Sequence, residues 1–484
     1  MSIGNFVKKM RDITRLDQGI NGDAQRIEQL AWMLFLKVYD DREFDWEFND
    51  PEYTSILPEE YRWRNWADTS DGKGLKGDDL LRFVDTELIP TLKNLPIPAN
   101  CERRKSIVKT VFTDIHNYMK DGVQLRELIS EINTCDFNDP KEAHAFGFIY
   151  ETILKNLQSA GSSGEFYTPR ALTDFMAQHV GLKLGDTVAD FACGTGGFLN
   201  AARTYLEGQA RTNKDQAILA RSFFGTEKKP LPFVLCVTNL MLNGIDEPNI
   251  TYGNSLIKST GDYTEKDKFD VILMNPPYGG SEQPFIQQNF PGNMRSAETA
   301  DLFLILIMAR LKEAGRAAVI IPDGFLFGDG NKEEIKKALL KNFNLHTIVR
   351  LPGSVFAPYT NITTNLLFFD GKGPTKETWF YRVDMPEGYK HFSKTKPMLL
   401  EHLSELDAWW GNRREIENKA RKFSREELEA LGCNFDQCGF TEEEDVILPP
   451  AELIAHYKAE RARHEKVMDA ALSKILSMIG DKSC

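Results

Sequence analysis

Apolar residues in the first third of the chain recur at helical spacing or fill whole helical turns. The run from Ala24 to Asp40 (AQRIEQLAWMLFLKVYD) lacks Gly and Pro and is too densely apolar for a surface helix, which predicts a largely buried one. Similar helical runs occupy residues 78–95 and 143–157. These runs predict a helical N-terminal domain at residues 1–155.

The pattern changes after the small, polar stretch at residues 161–165 (GSSGE). Short β-type runs then alternate with helix-length segments, which predicts βαβ units and a mostly parallel sheet. The predicted strands contain the sequences TVADF, SFFGTE, DKFDVILM, RAAVIIP, HTIVRLP and NLLFF, and the last of them ends near Phe369. This predicts an α/β domain at residues 156–375.

The remaining residues, 376–484, are rich in charge and are predicted to be mainly helical. Their last part, Pro450 to Ile479, has one apolar stripe at helical spacing. Such a stripe either packs on its own protein or docks another subunit, and the pattern leaves both interpretations open. The stripe consists of Val467, Ala471, Leu472, Ile475, Leu476 and Ile479.

Length and composition fit a globular protein with two or three domains. The chain has 484 residues, of which 42% are hydrophobic and 27% charged, so collagen-like and wholly disordered classes are excluded. No signal peptide and no membrane-spanning run is recognisable, so we expect a soluble, cytoplasmic protein. The seven cysteines are scattered without CxxC pairs, which predicts a reducing compartment and no structural zinc.

The net charge of −12 argues against a protein that binds nucleic acid by bulk charge alone. Residues 151–370, with 21 basic and 23 acidic side chains, form the most nearly neutral part of the chain. We therefore expect a polyanion to be met there, or with the help of a partner.

A glycine-rich turn follows the first predicted strand, in the sequence TVADFACGTGGF at residues 187–198. Its glycines permit a tight turn and a close approach of backbone to a ligand, although an ordinary strand-to-helix connection can look the same. The turn matches neither GxGxxG nor GxxxxGK[ST], which disfavours dinucleotide-dependent dehydrogenases and P-loop enzymes. The next strand ends in Glu227, which is either a carboxylate for ribose hydroxyls or a solvated surface residue.

The sequence Asn275-Pro276-Pro277-Tyr278 directly follows the apolar strand FDVILM. Two consecutive prolines fix the backbone, so the carbonyl groups of Asn275 and Pro276 are held as acceptors. An amide, a fixed carbonyl and an aromatic ring at the end of a strand predict a pocket for a flat group that bears an NH2. A proline pair alone would indicate only a rigid turn.

Together, GEFYTPR at residues 164–170, DFACGTGGF and NPPY resemble the N6-adenine DNA methyltransferases. The helical leader and the stretches at residues 315–327 and 351–369 further resemble the modification subunit of type I restriction-modification systems. The resemblance implies a Rossmann-like domain that uses S-adenosyl-L-methionine. It also implies double-stranded DNA, a specificity subunit, a second copy of the chain and, where the system has one, a restriction subunit as partners.

The same resemblance implies a role for each candidate site residue. The segment expected to close over the cofactor consists of Glu165, Phe166, Tyr167, Thr168, Pro169 and Arg170. The residues expected at its methionine end are Asp190, Gly194, Thr195, Gly196, Gly197 and Phe198. Glu227 is expected to hold the ribose, and Asn254 and Ser255 lie where related enzymes often contact the adenine ring with an acid. Asn254 departs from that acid.

The chemistry expected of this pocket is direct methyl transfer to adenine N6. The Asn275 side chain and the Pro276 carbonyl would accept both N6 hydrogens, with the target base flipped out of the duplex and stacked on Tyr278. Such a transfer requires no metal. Two alternatives remain at this point, a protein glutamine N5-methyltransferase, which also carries NPPY, and a non-catalytic cofactor-binding assembly subunit.

Overall fold

The computed structural model describes residues 3–68, 74–137 and 168–439, together with isolated positions between 454 and 469. The chain divides into two compact units, Met1–Gly439 and Phe440–Cys484. No helix among the described residues is long and apolar enough to cross a membrane. The predicted helix at residues 143–157 lies outside the described residues.

Helices alone form the regular structure of the described N-terminal residues. The long second helix begins near the predicted position but continues to Asn49, because its last turns pack on the following segment: Glu43 and Trp46 are buried, and Glu43 accepts hydrogen bonds from Tyr53 and Ser55. The predicted run at residues 78–95 is helical as far as Lys93, with a π-helical turn at Phe83–Leu88. The N-terminal helices are α1 (Ile3–Leu16), α2 (Asp23–Asn49), α3 (Trp63–Trp66), α4 (Gly77–Arg82), α5 (Ile89–Lys93), α6 (Arg103–Phe112) and α7 (Gly122–Ile132).

A nine-stranded sheet forms the centre of the following region, and its strand order is β3-β2-β1-β4-β5-β7-β6-β8-β9. The first five strands in this order are parallel, and β7 runs antiparallel to both of its neighbours. The strands are β1 (Val188–Asp190), β2 (Phe223–Glu227), β3 (Asn249–Tyr252), β4 (Phe269–Met274), β5 (Leu311–Pro322), β6 (Asn344–Arg350), β7 (Thr364–Asp370), β8 (Glu377–Arg382) and β9 (Ala420–Ser424).

Helices connect these strands and cover the sheet. They are α8 (Arg170–His179), α9 (Gly197–Glu207), α10 (Asn213–Ala220), α11 (Pro230–Leu242), α12 (Pro284–Gln287), α13 (Thr299–Arg310), α14 (Asp323–Phe327), α15 (Asn331–Asn342), α16 (Ser404–Gly411) and α17 (Arg425–Ala430). The prediction of an α/β fold with a helical leader and a mostly parallel sheet is confirmed.

The expectation that strands end near Phe369 is wrong, because β8 and β9 extend the sheet. Strand β8 pairs with β6 in parallel, and β9 pairs with β8 in antiparallel fashion. Alternating burial along ETWFYR, with Thr378 and Phe380 fully buried, gives β8 its place in the sheet despite the charges around it. In the second unit, the described positions are helical, and Ile454, Tyr457 and Met468 are exposed. All six residues of the predicted apolar stripe lie outside the described residues.

The N-terminal helices and the sheet belong to the same unit and contact each other directly. The Arg42 guanidinium of α2 donates to the Met241 carbonyl at 3.0 Å, and that of Arg103 donates to the Pro248 and Ile250 carbonyls at 3.0 and 2.6 Å. These bonds hold α11 and the start of β3 against the helical leader.

Candidate active site

The predicted site residues that the structure describes lie at the carboxyl edge of the sheet, the edge at which the parallel strands end. Asp190, Glu227, Tyr252 and Met274 terminate β1 to β4, and chain connections leave β1 and β4 in opposite directions across the sheet. A cleft at such a switch point is the usual ligand site of open α/β sheets. The strand register therefore places the glycine turn, Glu227 and NPPY at one cleft.

The glycine turn needs glycine at two positions for different reasons. Gly194 has φ +53°, and a Cβ there would meet no protein atom within 4 Å, so its outer side is open. Gly196 has φ +82°, and a Cβ there would lie 3.0 Å from Cys236 Sγ. At Gly196 the close neighbour within the protein is thus helix α11. Gly197 and Phe198 begin α9, and Phe198 is buried.

Glu227 is no solvated surface residue, since only 8% of it is exposed. Its carboxylate accepts a hydrogen bond from the Gly194 amide and another from the Lys229 amide, both at 2.8 Å. The surface alternative is therefore wrong. The carboxylate fixes the glycine turn while lying at the end of β2.

Asp190 lies at the end of β1, 2% exposed, with Oδ1 accepting from the Ala192 amide at 3.1 Å. Burial raises the pKa of its carboxyl to about 8; the Ala192 amide opposes this rise, and the nearby Glu227 charge adds to it. Two buried acids share one end of the cleft, so a cation placed there would be favoured.

The segment after β3 closes the next part of the cleft. Asn254 Oδ1 accepts from the Leu256 amide at 3.0 Å, and the Ser255 hydroxyl donates to the Phe191 carbonyl at 2.7 Å. The Gly253 amide donates to the Glu227 carbonyl at 2.9 Å. Asn254 and Ser255 are therefore held beside the first two strands, although the structure gives the Asn254 amide oxygen a local backbone partner.

NPPY is joined to the segment that precedes α8. The Asn275 amide Nδ2 donates to Thr168 Oγ1 at 3.0 Å, across 107 positions of sequence, and the Tyr278 hydroxyl donates to Asn275 Oδ1. Pro276 is buried and Pro277 exposed. These two hydrogen bonds orient the Asn275 amide, with Nδ2 facing Thr168 and Oδ1 facing Tyr278.

Tyr278 is 6% exposed, and its ring meets the buried Phe356 edge-on at 6.2 Å. Burial raises the pKa of the Tyr278 phenol well above its ordinary value, so the hydroxyl stays a hydrogen-bond donor. Phe356 lies in the loop at residues 351–363, whose sequence has no local pattern that predicts this packing.

Of the segment expected to close over the cofactor, Thr168, Pro169 and Arg170 are described. Pro169 precedes α8, and Arg170 is its first residue. The other three positions, Glu165, Phe166 and Tyr167, lie outside the described residues.

Sequence reasoning missed two supports of the glycine turn. Asn239 of α11 donates from Nδ2 to the Thr195 carbonyl at 3.1 Å, and Cys236 lies beneath Gly196. The sequence signal for the first support is Asn239 itself, an amide residue within the apolar helix sequence PLPFVLCVTNLML, where it is only 8% exposed.

The open sheet, the glycine turn and the NPPY pocket together define a methyltransferase that acts on amino groups. The model of the N-6 DNA methylase family matches residues 141–446, and that of the HsdM N-terminal domain matches residues 3–132. The chain therefore belongs to the N-6 DNA methylase family.

Similar proteins cover nearly the whole chain. The EcoEI type I restriction enzyme methylase subunit of Escherichia coli is 47% identical over 470 residues, which are 96% of this chain and 95% of that protein. A solved chain described as a modification subunit of a type I restriction enzyme from Vibrio vulnificus YJ016 has 43% identity and a TM-score of 0.80, with 88% and 93% of the two chains covered. Another, from a study of type I system assembly, has 34% identity and a TM-score of 0.80, with 98% of each chain covered.

Proposed function

We propose that this chain is the modification subunit of a type I restriction-modification system and transfers a methyl group from S-adenosyl-L-methionine to N6 of adenine in double-stranded DNA. The observation that carries the proposal is the hydrogen-bonded group of Thr168, Asn275 and Tyr278 in a chain that is 47% identical to a type I methylase subunit. That group supplies an oriented amide for an amino acceptor.

The cleft fits the proposed cofactor. Gly194 leaves open space beside the turn, Glu227 places a carboxylate where ribose hydroxyls can donate, and Asp190 adds an acid for a cationic group. When bound, S-adenosyl-L-methionine supplies an electrophilic methyl group on a sulfonium. Thr168, Pro169 and Arg170 border the Asn275 side of the cleft through the Thr168–Asn275 bond. The proposed adenine contact through Asn254 and Ser255 rests on their position after β3.

The Asn275 amide orients the acceptor amine. The N6 lone pair of adenine is delocalised into the ring, so N6 is a poor nucleophile. When Asn275 Oδ1 and the Pro276 carbonyl accept the two N6 hydrogens, the nitrogen becomes more tetrahedral and its lone pair is directed at the methyl group. Positioning and preorganised acceptors supply most of the rate gain.

The target base must leave the duplex before it reaches this pocket, which costs a few kcal/mol. The proposed stacking on Tyr278 offsets part of that cost, and the edge-on contact with Phe356 holds the tyrosine ring for it. The hydroxyl bond to Asn275 further restricts the ring.

Partners are part of the proposal because the chain alone carries a net charge of −12. We propose that a specificity subunit reads the DNA sequence, that a second copy of this chain joins the complex, and that a restriction subunit binds where the system has one. A protein glutamine methyltransferase and a non-catalytic assembly subunit are disfavoured, since the two family models together match most of the chain.

The test is methylation of duplex DNA by the chain purified with its specificity subunit, using cofactor labelled on the methyl group. Incorporation that yields N6-methyladenine at one sequence is the expected result. Labelling of protein with none in DNA would contradict the proposal.

A further inference from the structure

A short basic segment, residues 389–396 (YKHFSKTK), stands out in this acidic chain. It carries three exposed lysines, Lys390, Lys394 and Lys396, together with the exposed His391, and it contains no acidic residue. None of the three lysines forms an ion pair with any described residue, whereas many other lysines of the chain do. The positive charge of the basic segment is therefore available to an external ligand.

The backbone of the basic segment is anchored rather than loosely attached. Phe392 is 1% exposed, and its amide donates to Ser354 Oγ at 2.9 Å. The Tyr389 and Phe392 rings lie 5.8 Å apart, and Ser393 and Lys396 exchange two backbone hydrogen bonds of 3.0 and 3.1 Å. The buried Phe392 ring holds the segment, and the three lysines are exposed, with Lys396 Nζ 5.5 Å from the centre of the Tyr389 ring.

This anchor places the basic segment at the carboxyl edge of the sheet. The segment follows β8, whose last residue, Arg382, lies opposite Arg350 of β6. Ser354 belongs to the loop after β6, and two residues further on Phe356 contacts Tyr278. The lysines and the wall of the NPPY pocket thus share one loop cluster.

We propose that the basic segment binds the phosphate backbone of the DNA duplex beside the flipped adenine, an inference that rests on the proposed function. A base can enter the NPPY pocket only from a duplex that lies against this edge, so the phosphates next to the target nucleotide pass close to the segment. Lysine acts on phosphate as a point charge and needs no bidentate geometry. Contacts of this kind position the duplex and carry no sequence information.

The test compares two triple variants in the complex with the specificity subunit. One is Lys390→Ala/Lys394→Ala/Lys396→Ala. The matched control removes three exposed lysines that also lack ion pairs with described residues but lie near the opposite, amino ends of β1, β6 and β8, namely Lys183, Lys341 and Lys376. Fluorescence anisotropy then measures binding to duplexes with and without the recognised sequence between 50 and 200 mM KCl.

If each lysine contacts one phosphate, the slope of log affinity against log salt falls by about 2.7 in the basic-segment variant. Between 50 and 200 mM KCl, the ratio of wild-type affinity to variant affinity then falls about 40-fold. Both duplexes should weaken by the same factor, because phosphate contacts are independent of sequence. The control variant should keep the wild-type slope, and cofactor affinity should be unchanged in both.

Three results would overturn the inference. An unchanged salt slope, in a complex whose wild type methylates DNA, would show that the basic segment does not contact phosphate. Loss of the specificity subunit from the variant complex, with DNA binding otherwise retained, would indicate a protein partner. A folded wild-type complex that neither binds nor methylates DNA would overturn the proposed function and this inference with it.

Discussion

Replacing Asn275 by alanine separates the acceptor-orienting role of this residue from cofactor binding. The wild-type amide makes two described hydrogen bonds, to Thr168 and from Tyr278, and alanine removes both. At about 1 kcal/mol each, their loss should lower the free energy of unfolding by about 2 kcal/mol. Removal of one preorganised acceptor should cost about 3 to 4 kcal/mol in the transition state, a rate loss of 100- to 1,000-fold.

The assay is a single-turnover reaction of the complex with methyl-labelled cofactor and a saturating duplex, accompanied by calorimetric titration of the cofactor. We expect the rate to fall at least 100-fold and the cofactor dissociation constant to change less than about threefold. Thr168→Val is the matched control: it removes only the acceptor of the Asn275 Nδ2 hydrogen, so it should slow transfer less than alanine does. Near-normal transfer by Asn275→Ala would show that Asn275 does not orient the acceptor amine.

Three further predictions concern the cleft and the last helix. Gly194→Ala should fold, with a strain cost of about 1 kcal/mol at φ +53°, but should weaken cofactor binding measured by calorimetry. Gly196→Ala should mainly lower the melting temperature, because the added methyl group meets Cys236. Adding Cys236→Ala to Gly196→Ala should recover part of that loss. The same change in cofactor affinity and in melting temperature for both glycine variants would contradict these separate roles. Burial raises the pKa of Asp190 to about 8, so binding of a cationic ligand beside it must displace the carboxyl proton. Cofactor affinity should therefore rise between pH 6 and pH 8, by at most tenfold per pH unit, and stay constant above pH 8. Asp190→Asn should flatten this profile, and an unchanged slope would remove Asp190 from the cation site. If the apolar stripe docks the specificity subunit, truncation after residue 449 should leave the melting temperature unchanged and abolish binding of that subunit in pull-down assays. Unfolding or aggregation of the truncated chain would show that the stripe packs internally.

Much of the carboxyl edge could be predicted from the sequence because its elements are local. An apolar strand followed by GTGG or NPPY fixes a strand-to-turn transition within a dozen residues, and β1, β2 and β4 to β7 occur where the pattern predicts them. Strand β3 was missed because NITY is short and partly polar, and β8 and β9 were missed because charged residues surround them. Their places depend on pairing with distant strands.

The finer geometry of the site could not be predicted because it is set by contacts between distant parts of the chain. The Thr168–Asn275 bond spans 107 positions, and the sulfur beneath Gly196 belongs to α11, which follows two further helices and a strand. The sequence predicts that Gly196 approaches a ligand, and the structure adds its close packing against Cys236 of α11. No periodicity predicts that Phe356 supports Tyr278.

The identity of the methylated nucleoside tests directly whether the complex transfers methyl groups to adenine N6. Duplex DNA incubated with the purified complex and labelled cofactor is digested to nucleosides and analysed by mass spectrometry, with the Asn275→Ala complex in parallel. The proposed function predicts N6-methyldeoxyadenosine from wild type and at least 100-fold less from the variant. Methylation of cytosine, or equal adenine methylation by both complexes, would contradict it.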